Sequence, residues 1–143
     1  MKITPVAIVM PVKLSKNRLH VWLQERESSD ELNGLLEFPG GKIESNETPV
    51  LAAVRETLEE TGIDISPADL ALFKIYTHIY SNKNINLYAY LLTNEKARGL
   101  PEAGWQELDR NWEESYVERI PAANREIFKD LVDNFLSKNS ALP

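Results

Sequence analysis

Three glutamates, Glu56, Glu59 and Glu60, stand at positions i, i+3 and i+4 of a stretch that carries helical signals. On an α-helix that spacing sends all three carboxylates off one side. Like charges so placed repel one another, so a cation belongs beside them. An all-oxygen donor set suits a hard divalent ion such as Mg²⁺, with Mn²⁺ able to substitute. Arg55 leaves a neighbouring side of the same helix, where Glu47 is placed to hold it through a charge-assisted pair. Upstream, Gly40-Gly41 lets the backbone approach a ligand closely and leaves carbonyls free to coordinate. Mg²⁺ binds through one or two carboxylates plus substrate phosphates and keeps several waters. A pyrophosphate bridged to such an ion, attacked by a water that the metal and a glutamate activate, is phosphoanhydride hydrolysis. No rival nucleophile set competes: the chain has no cysteine and two histidines, His20 and His78, both in strand-like segments. The bland alternative is a solvated acidic helix face, and the surrounding glycines, Glu47 and Arg55 argue against it.

The elements that must position these groups can be read from punctuation and periodicity. Thr48 is a favoured N-cap type, Pro49 fits the first helical position, and Gly62 fits a left-handed C-terminus. Val50, Leu51, Val54 and Leu58 form the apolar face predicted for this helix. Val6 to Val12 and Leu19 to Gln24 read as strands around the turn Ser15-Lys16-Asn17-Arg18. Glu27 to Gly34 reads as a polar loop, and Leu35 to Phe38 as a short strand that stops at Pro39-Gly40-Gly41. Leu70 to Tyr80 and Ile85 to Leu92 read as strands joined by Ser81-Asn82-Lys83-Asn84. Asn94 to Gly104 reads as a polar loop, and Trp105 to Trp112 as loop with a short strand. A final helix over about 122–137 carries Ile127, Phe128, Leu131, Val132 and Phe135 at helical spacing, and the tail 138–143 is expected to fray. Irregular alternation of this kind predicts an α/β (α+β) chain, a mixed sheet flanked by helices.

Composition bounds the rest. At 143 residues the chain is expected to form a single domain, 1–143, with a sizeable core. Hydrophobic residues at 43% and charged residues at 27% are an ordinary globular balance. No apolar run approaches the roughly 20 residues of a membrane span, and no signal-peptide cleavage pattern opens the chain. With no cysteine there is no disulfide framework, and a cytoplasmic location is the default expectation. The net charge of −6 argues against a nucleic-acid polymer as partner, which would need a basic face. It leaves small nucleotides open, because a bound metal inverts the local charge balance.

Gly41, Glu47, Arg55-Glu56, Glu59-Glu60, Gly62 and Ile63 match the 23-residue signature of the Nudix hydrolase family, spanning 41–63. Thr57 departs from it, standing where a larger aliphatic residue is usual. Leu36-Glu37-Phe38-Pro39-Gly40-Gly41-Lys42-Ile43-Glu44 further resembles the MutT branch, which hydrolyses oxidised guanine nucleoside triphosphates. Pro121-Ala122-Ala123-Asn124 resembles that branch's Pro-Ala-Asn segment, whose asparagine reads the purine. The resemblance implies an α/β/α sandwich around a central mixed sheet. It implies Mg²⁺ held by Glu56, Glu59, Glu60 and the Gly40 carbonyl, with Glu47 orienting Arg55. The family also takes a glutamate from a later loop as ligand or base; Glu102 and Glu107 both qualify, and spacing to Trp112 favours Glu107. Substrate contacts would come from Arg26, Glu37, Phe38, Pro39, Gly40, Asn124 and Lys83. For Arg26, Phe38, Lys83 and Asn124 plain readings compete: a strand-edge charge, a core ring, a solvated lysine and a helix N-cap. The implied reaction converts a nucleoside triphosphate, 8-oxo-dGTP among them, to the monophosphate and pyrophosphate, by a monomer or homodimer. Alternative substrates are nucleoside-diphosphate sugars, ADP-ribose and dinucleoside polyphosphates. A non-catalytic nucleotide-binding module is the alternative from another class.

Overall fold

Strand β1 runs over Ile3–Ser15, well beyond the apolar centre at Val6 to Val12. The computed structural model describes residues 2–79 and 83–136; Met1, Tyr80, Ser81, Asn82 and residues 137–143 lie outside the described residues. The chain divides into two compact units, Met1–Pro11 with Phe38–Pro101, and Val12–Glu37 with Glu102–Pro143.

In the first unit, β1 pairs in parallel with β7 (Asn84–Leu92) and antiparallel with β5 (Gly40–Lys42), while β6 (Ala71–Ile79) pairs antiparallel with β7. This is the mixed sheet that the alternation predicts. The short strand before the glycines stops ahead of Pro39, as its composition predicts; the glycines then open a strand of their own, β5, with Gly40 and Gly41 opposite Ile8 and Ala7. Helix α1 (Pro49–Thr61) packs against β5 and β7. Thr48 caps it by accepting from the Leu51 N–H, Pro49 opens it, and Gly62 closes it at φ 78°. Its buried side is not the predicted one. Ala52, Ala53 and Thr57 are buried, whereas Leu51 and Leu58 are each 47% exposed. Small side chains let the helix backbone lie close to the glycine strand, and the leucines face outward. Thr57 tolerates full burial because its hydroxyl donates to the Ala53 carbonyl at 2.8 Å. The predicted polar loop after β7 contains 3₁₀ turns at Glu95–Gly99 and Glu102–Gly104. In this unit Asp69 ties its own turn to the first of them, through Lys96 at 2.6 Å and Asn94 at 2.8 Å.

In the second unit, the end of β1 forms a hairpin with β2 (Arg18–Trp22), whose other edge pairs with β8 (Trp105–Leu108). Lys16 and Asn17 both take positive φ, 52° and 63°, as a two-residue hairpin turn matching strand twist requires. A separate ribbon joins β3 (Gln24–Glu25) to β4 (Leu36–Glu37), enclosing the polar loop. A short helix α2 (Trp112–Tyr116), which no sequence signal predicts, stacks Trp112 and Tyr116 edge-on against Phe128 of α3 (Arg125–Phe135). The last helix starts three residues later than predicted, after a 3₁₀ turn at Ala122–Asn124. Ile127, Phe128, Leu131 and Val132 are buried, as their spacing predicts. No helix among the described residues is long and apolar enough to cross a membrane.

Candidate active site

The charged site belongs to the first unit and is built from two neighbours, β5 and α1. Ala52, Glu56 and Glu60 fall at i, i+4 and i+8, one row of the helix. Ala52 is buried where the row meets the sheet, and the two glutamates continue that row over the glycines. The Gly40 N–H donates to the Glu60 carboxylate at 2.8 Å. A Cβ placed on Gly41 would stand 2.5 Å from the Glu56 carboxylate. On Gly40 it would meet the Ala7 carbonyl and, at 2.8 Å, the Ile8 Cα. Each glycine is therefore required by close approach, Gly41 to a carboxylate and Gly40 to a strand.

Arg55 is the hub. Glu47 holds it with two bonds, from Nε at 2.6 Å and from Nη2 at 2.9 Å. Nη2 also donates to the Lys42 carbonyl at 3.2 Å, and Glu44 stands 3.7 Å away. Nη1 donates to Glu56 at 3.0 Å and Glu59 at 3.2 Å. The expected hold of Glu47 on Arg55 is present, and the guanidinium also reaches Glu56 and, one turn on, Glu59. It is the cation that offsets the repulsion between Glu56 and Glu59. Its hydrogen bonds, with the Glu44 N–H, hold the Glu47 carboxyl down to about 2, and the Glu47 contact raises Arg55 above its ordinary value. Glu59 is the outlying member, with 57% of its side chain exposed against 17% for Glu56.

Among the described residues no three carboxylates or imidazoles converge as a ready metal cage. The donor chemistry nevertheless fits a hard divalent ion. Glu56, Glu59 and Glu60 offer oxygens only, and Gly41 leaves the room over which Glu56 lies. Glu44 and the Lys42 carbonyl are partners of Arg55 that the sequence pattern does not single out, although Glu44 lies three residues before Glu47. Lys83 is exposed just before β7, and Phe38 and Pro39 are buried.

The remaining candidates sit in the second unit. Arg26 bonds Glu37 at 3.2 Å and Ser28 at 3.3 Å, with Asp30 at 3.5 Å, so it clasps its own loop. Burial pushes the Glu37 carboxyl up, and the Arg26 charge opposes the shift. Asn124 is buried, and its side chain makes no cap bond to α3, which removes the N-cap explanation. Glu107 lies on β8 opposite His20, 3.5 Å from Arg18. Glu102 opens the preceding 3₁₀ turn. Trp22 and Trp112 are buried, and Lys13 lies 4.0 Å over the Trp105 ring.

A family model described as NUDIX domain matches residues 3–130. The chain is 38% identical over 77 residues to an 8-oxo-dGTP diphosphatase of Proteus vulgaris, covering 54% of this chain and 67% of that protein. It is 37% identical over 81 residues to an 8-oxo-dGTP diphosphatase of Escherichia coli (strain K12), covering 57% and 60%. The matches thus span about two thirds or less of these curated relatives. A crystal structure of a MutT protein from Methanosarcina mazei Go1 shares the fold, with TM-score 0.65 at 20% identity over 95% of this chain and 96% of that one.

Proposed function

The chain belongs to the NUDIX family, and we propose that it is a MutT-like pyrophosphohydrolase that cleaves nucleoside triphosphates, 8-oxo-dGTP among them, to monophosphate and pyrophosphate with Mg²⁺. One observation carries this reading: α1 and β5 bring Glu56 and Glu60 directly onto the Gly40-Gly41 backbone. That juxtaposition gathers carboxylate oxygens over one short stretch of backbone, the oxygen-only donor set a hard divalent ion needs. Curated relatives named as 8-oxo-dGTP diphosphatases support the substrate class.

Nudix hydrolases generally work with a divalent metal, and Glu56, Glu59, Glu60 and the Gly40 carbonyl would hold it here. Such an ion supplies charge stabilisation for the phosphates. The chain's own groups do the rest. Glu47 anchors Arg55 through two bonds and so keeps the guanidinium at the edge of the carboxylate face. The Gly40 N–H orients the Glu60 carboxylate, which accepts a proton from an attacking water. Glu56 and Glu107 are the other candidates for that base. Arg26, Glu37, Phe38, Pro39, Asn124 and Lys83 are proposed to receive the nucleotide. Asn124 carries base selection, because a buried amide that caps nothing can pair with a base edge.

The test is a panel of canonical and oxidised triphosphates, nucleotide sugars, ADP-ribose and dinucleoside polyphosphates, compared by kcat/KM. The proposal expects triphosphates to lead and 8-oxo-dGTP to exceed dGTP. A kcat/KM for 8-oxo-dGTP no better than for dGTP would remove the oxidised-nucleotide role. Leading turnover of a sugar or dinucleotide substrate would replace the triphosphate reading.

A further inference from the structure

Arg55 and a divalent cation would compete for the same two carboxylates. Nη1 donates to Glu56 and Glu59, while Nε and Nη2 are held by Glu47 and the Lys42 carbonyl. Glu44 lies beyond these, its carboxylate 3.7 Å from Nη2 and 68% exposed. Its backbone is fixed, because its N–H donates to Glu47 at 3.0 Å. We infer that Arg55 is a displaceable internal counter-ion of the metal face, and that Glu44 is the positioning residue that takes it up when a cation claims Glu56 and Glu59. The inference rests on the proposed metal dependence and adds a role for a carboxylate outside the metal face.

The geometry favours a pivot over a wholesale departure. The two bonds to Glu47 are the shortest that Arg55 makes, so they remain the hinge. The bond to Glu59 is long at 3.2 Å and lies in solvent, so it is the first to yield. With Nε and Nη2 held, Nη1 turns off the helix face about that edge, and the exposed Glu44 carboxylate closes its 3.7 Å gap to Nη2 as the contact to Glu59 is lost. Glu44 thereby offsets part of the cost of separating Arg55 from two carboxylates.

The experiment uses the whole 143-residue chain, with Mn²⁺ affinity read by electron paramagnetic resonance and the Arg55 side-chain resonances read by ¹⁵N NMR with and without Mg²⁺. Mg²⁺ should move the Arg55 Nη signals and leave Nε nearly in place. Glu44→Gln should weaken Mn²⁺ binding about two- to five-fold, the scale of one exposed ion pair. Glu44→Asp keeps the charge but withdraws the carboxylate by one methylene from a contact already at 3.7 Å. It should resemble Gln; a wild-type affinity would mean that only the field matters and would overturn the role of Glu44. Arg55 signals indifferent to Mg²⁺, in a protein that binds Mn²⁺, would overturn the counter-ion. Failure of the wild type to bind Mn²⁺ at all would sink both this inference and the metal reading beneath it.

Discussion

Gly40 and Gly41 are adjacent in sequence, yet adding one methyl group to each should fail in opposite ways. At Gly41 the atoms nearest the new Cβ are those of the Glu56 carboxylate, with oxygens at 2.5 and 2.9 Å and the carbon at 2.7 Å. A carboxylate at the end of a flexible chain can swing away. The stability lost is then the Arg55–Glu56 contact, at most about 1 kcal/mol for a pair of this kind. That is roughly 4 °C in Tm or less for a chain of this size. Catalysis should suffer far more, because moving a positioned group by on the order of 1 Å costs about 100-fold. At Gly40 the Cβ meets the backbone of β1, the Ala7 carbonyl and the Ile8 Cα, which cannot move without distorting the sheet. Overpacking of that sort costs about 1–3 kcal/mol, or roughly 4–12 °C in Tm. Thermal denaturation and pyrophosphate release, measured on both variants, separate the two outcomes. Gly41→Ala with full activity, or Gly40→Ala as stable as the parent, would refute the close-approach argument.

Three further outcomes are expected. The Glu47 carboxyl, held down to about 2 by Arg55 against an ordinary 4.5, should titrate near 2 in carbon-detected NMR. Because its folded value is depressed, its contribution is complete above the unfolded value and is lost as pH falls from about 4.5 through about 2; a midpoint at 4.5 would contradict the pairing. Thr57→Val should change Tm by no more than a few degrees, since the hydroxyl removed only back-bonds to the Ala53 carbonyl; a drop of 10 °C or more would show that the bond holds the helix. Asn124→Ala should cut the preference between purine triphosphates by about 10-fold or more, the worth of a bidentate base contact, as read by kcat/KM ratios. Equal losses on all bases would assign Asn124 to packing.

The charged site is legible in the sequence because its spacing is local. Arg55, Glu56, Glu59 and Glu60 are related by helical period alone, and Thr48, Pro49 and Gly62 mark that helix at both ends. Periodicity finds an apolar stripe but does not say which stripe is buried. Leu51 and Leu58 carry the stronger signal, while Ala52, Ala53 and Thr57 are buried because α1 must come close to a glycine strand. That strand is itself unreadable: Gly40 and Gly41 have no strand propensity, and β1 imposes their pairing. Arg26 shows a second limit. The family resemblance implies a ligand contact for it, whereas Glu37, Ser28 and Asp30 surround it through a loop closure that no short pattern encodes. The reach of Arg55 to the Lys42 carbonyl and toward Glu44 depends on side-chain conformation, which spacing leaves open.

The central claim is that these carboxylates and glycines serve metal-dependent cleavage of a nucleoside triphosphate within its phosphate chain. The most direct measurement is ³¹P NMR of the products formed from dGTP or 8-oxo-dGTP with Mg²⁺. The account predicts nucleoside monophosphate and pyrophosphate, appearing only with the metal and abolished by Glu60→Gln. Nucleoside diphosphate with inorganic phosphate, or turnover that survives both metal removal and the substitution, would contradict it.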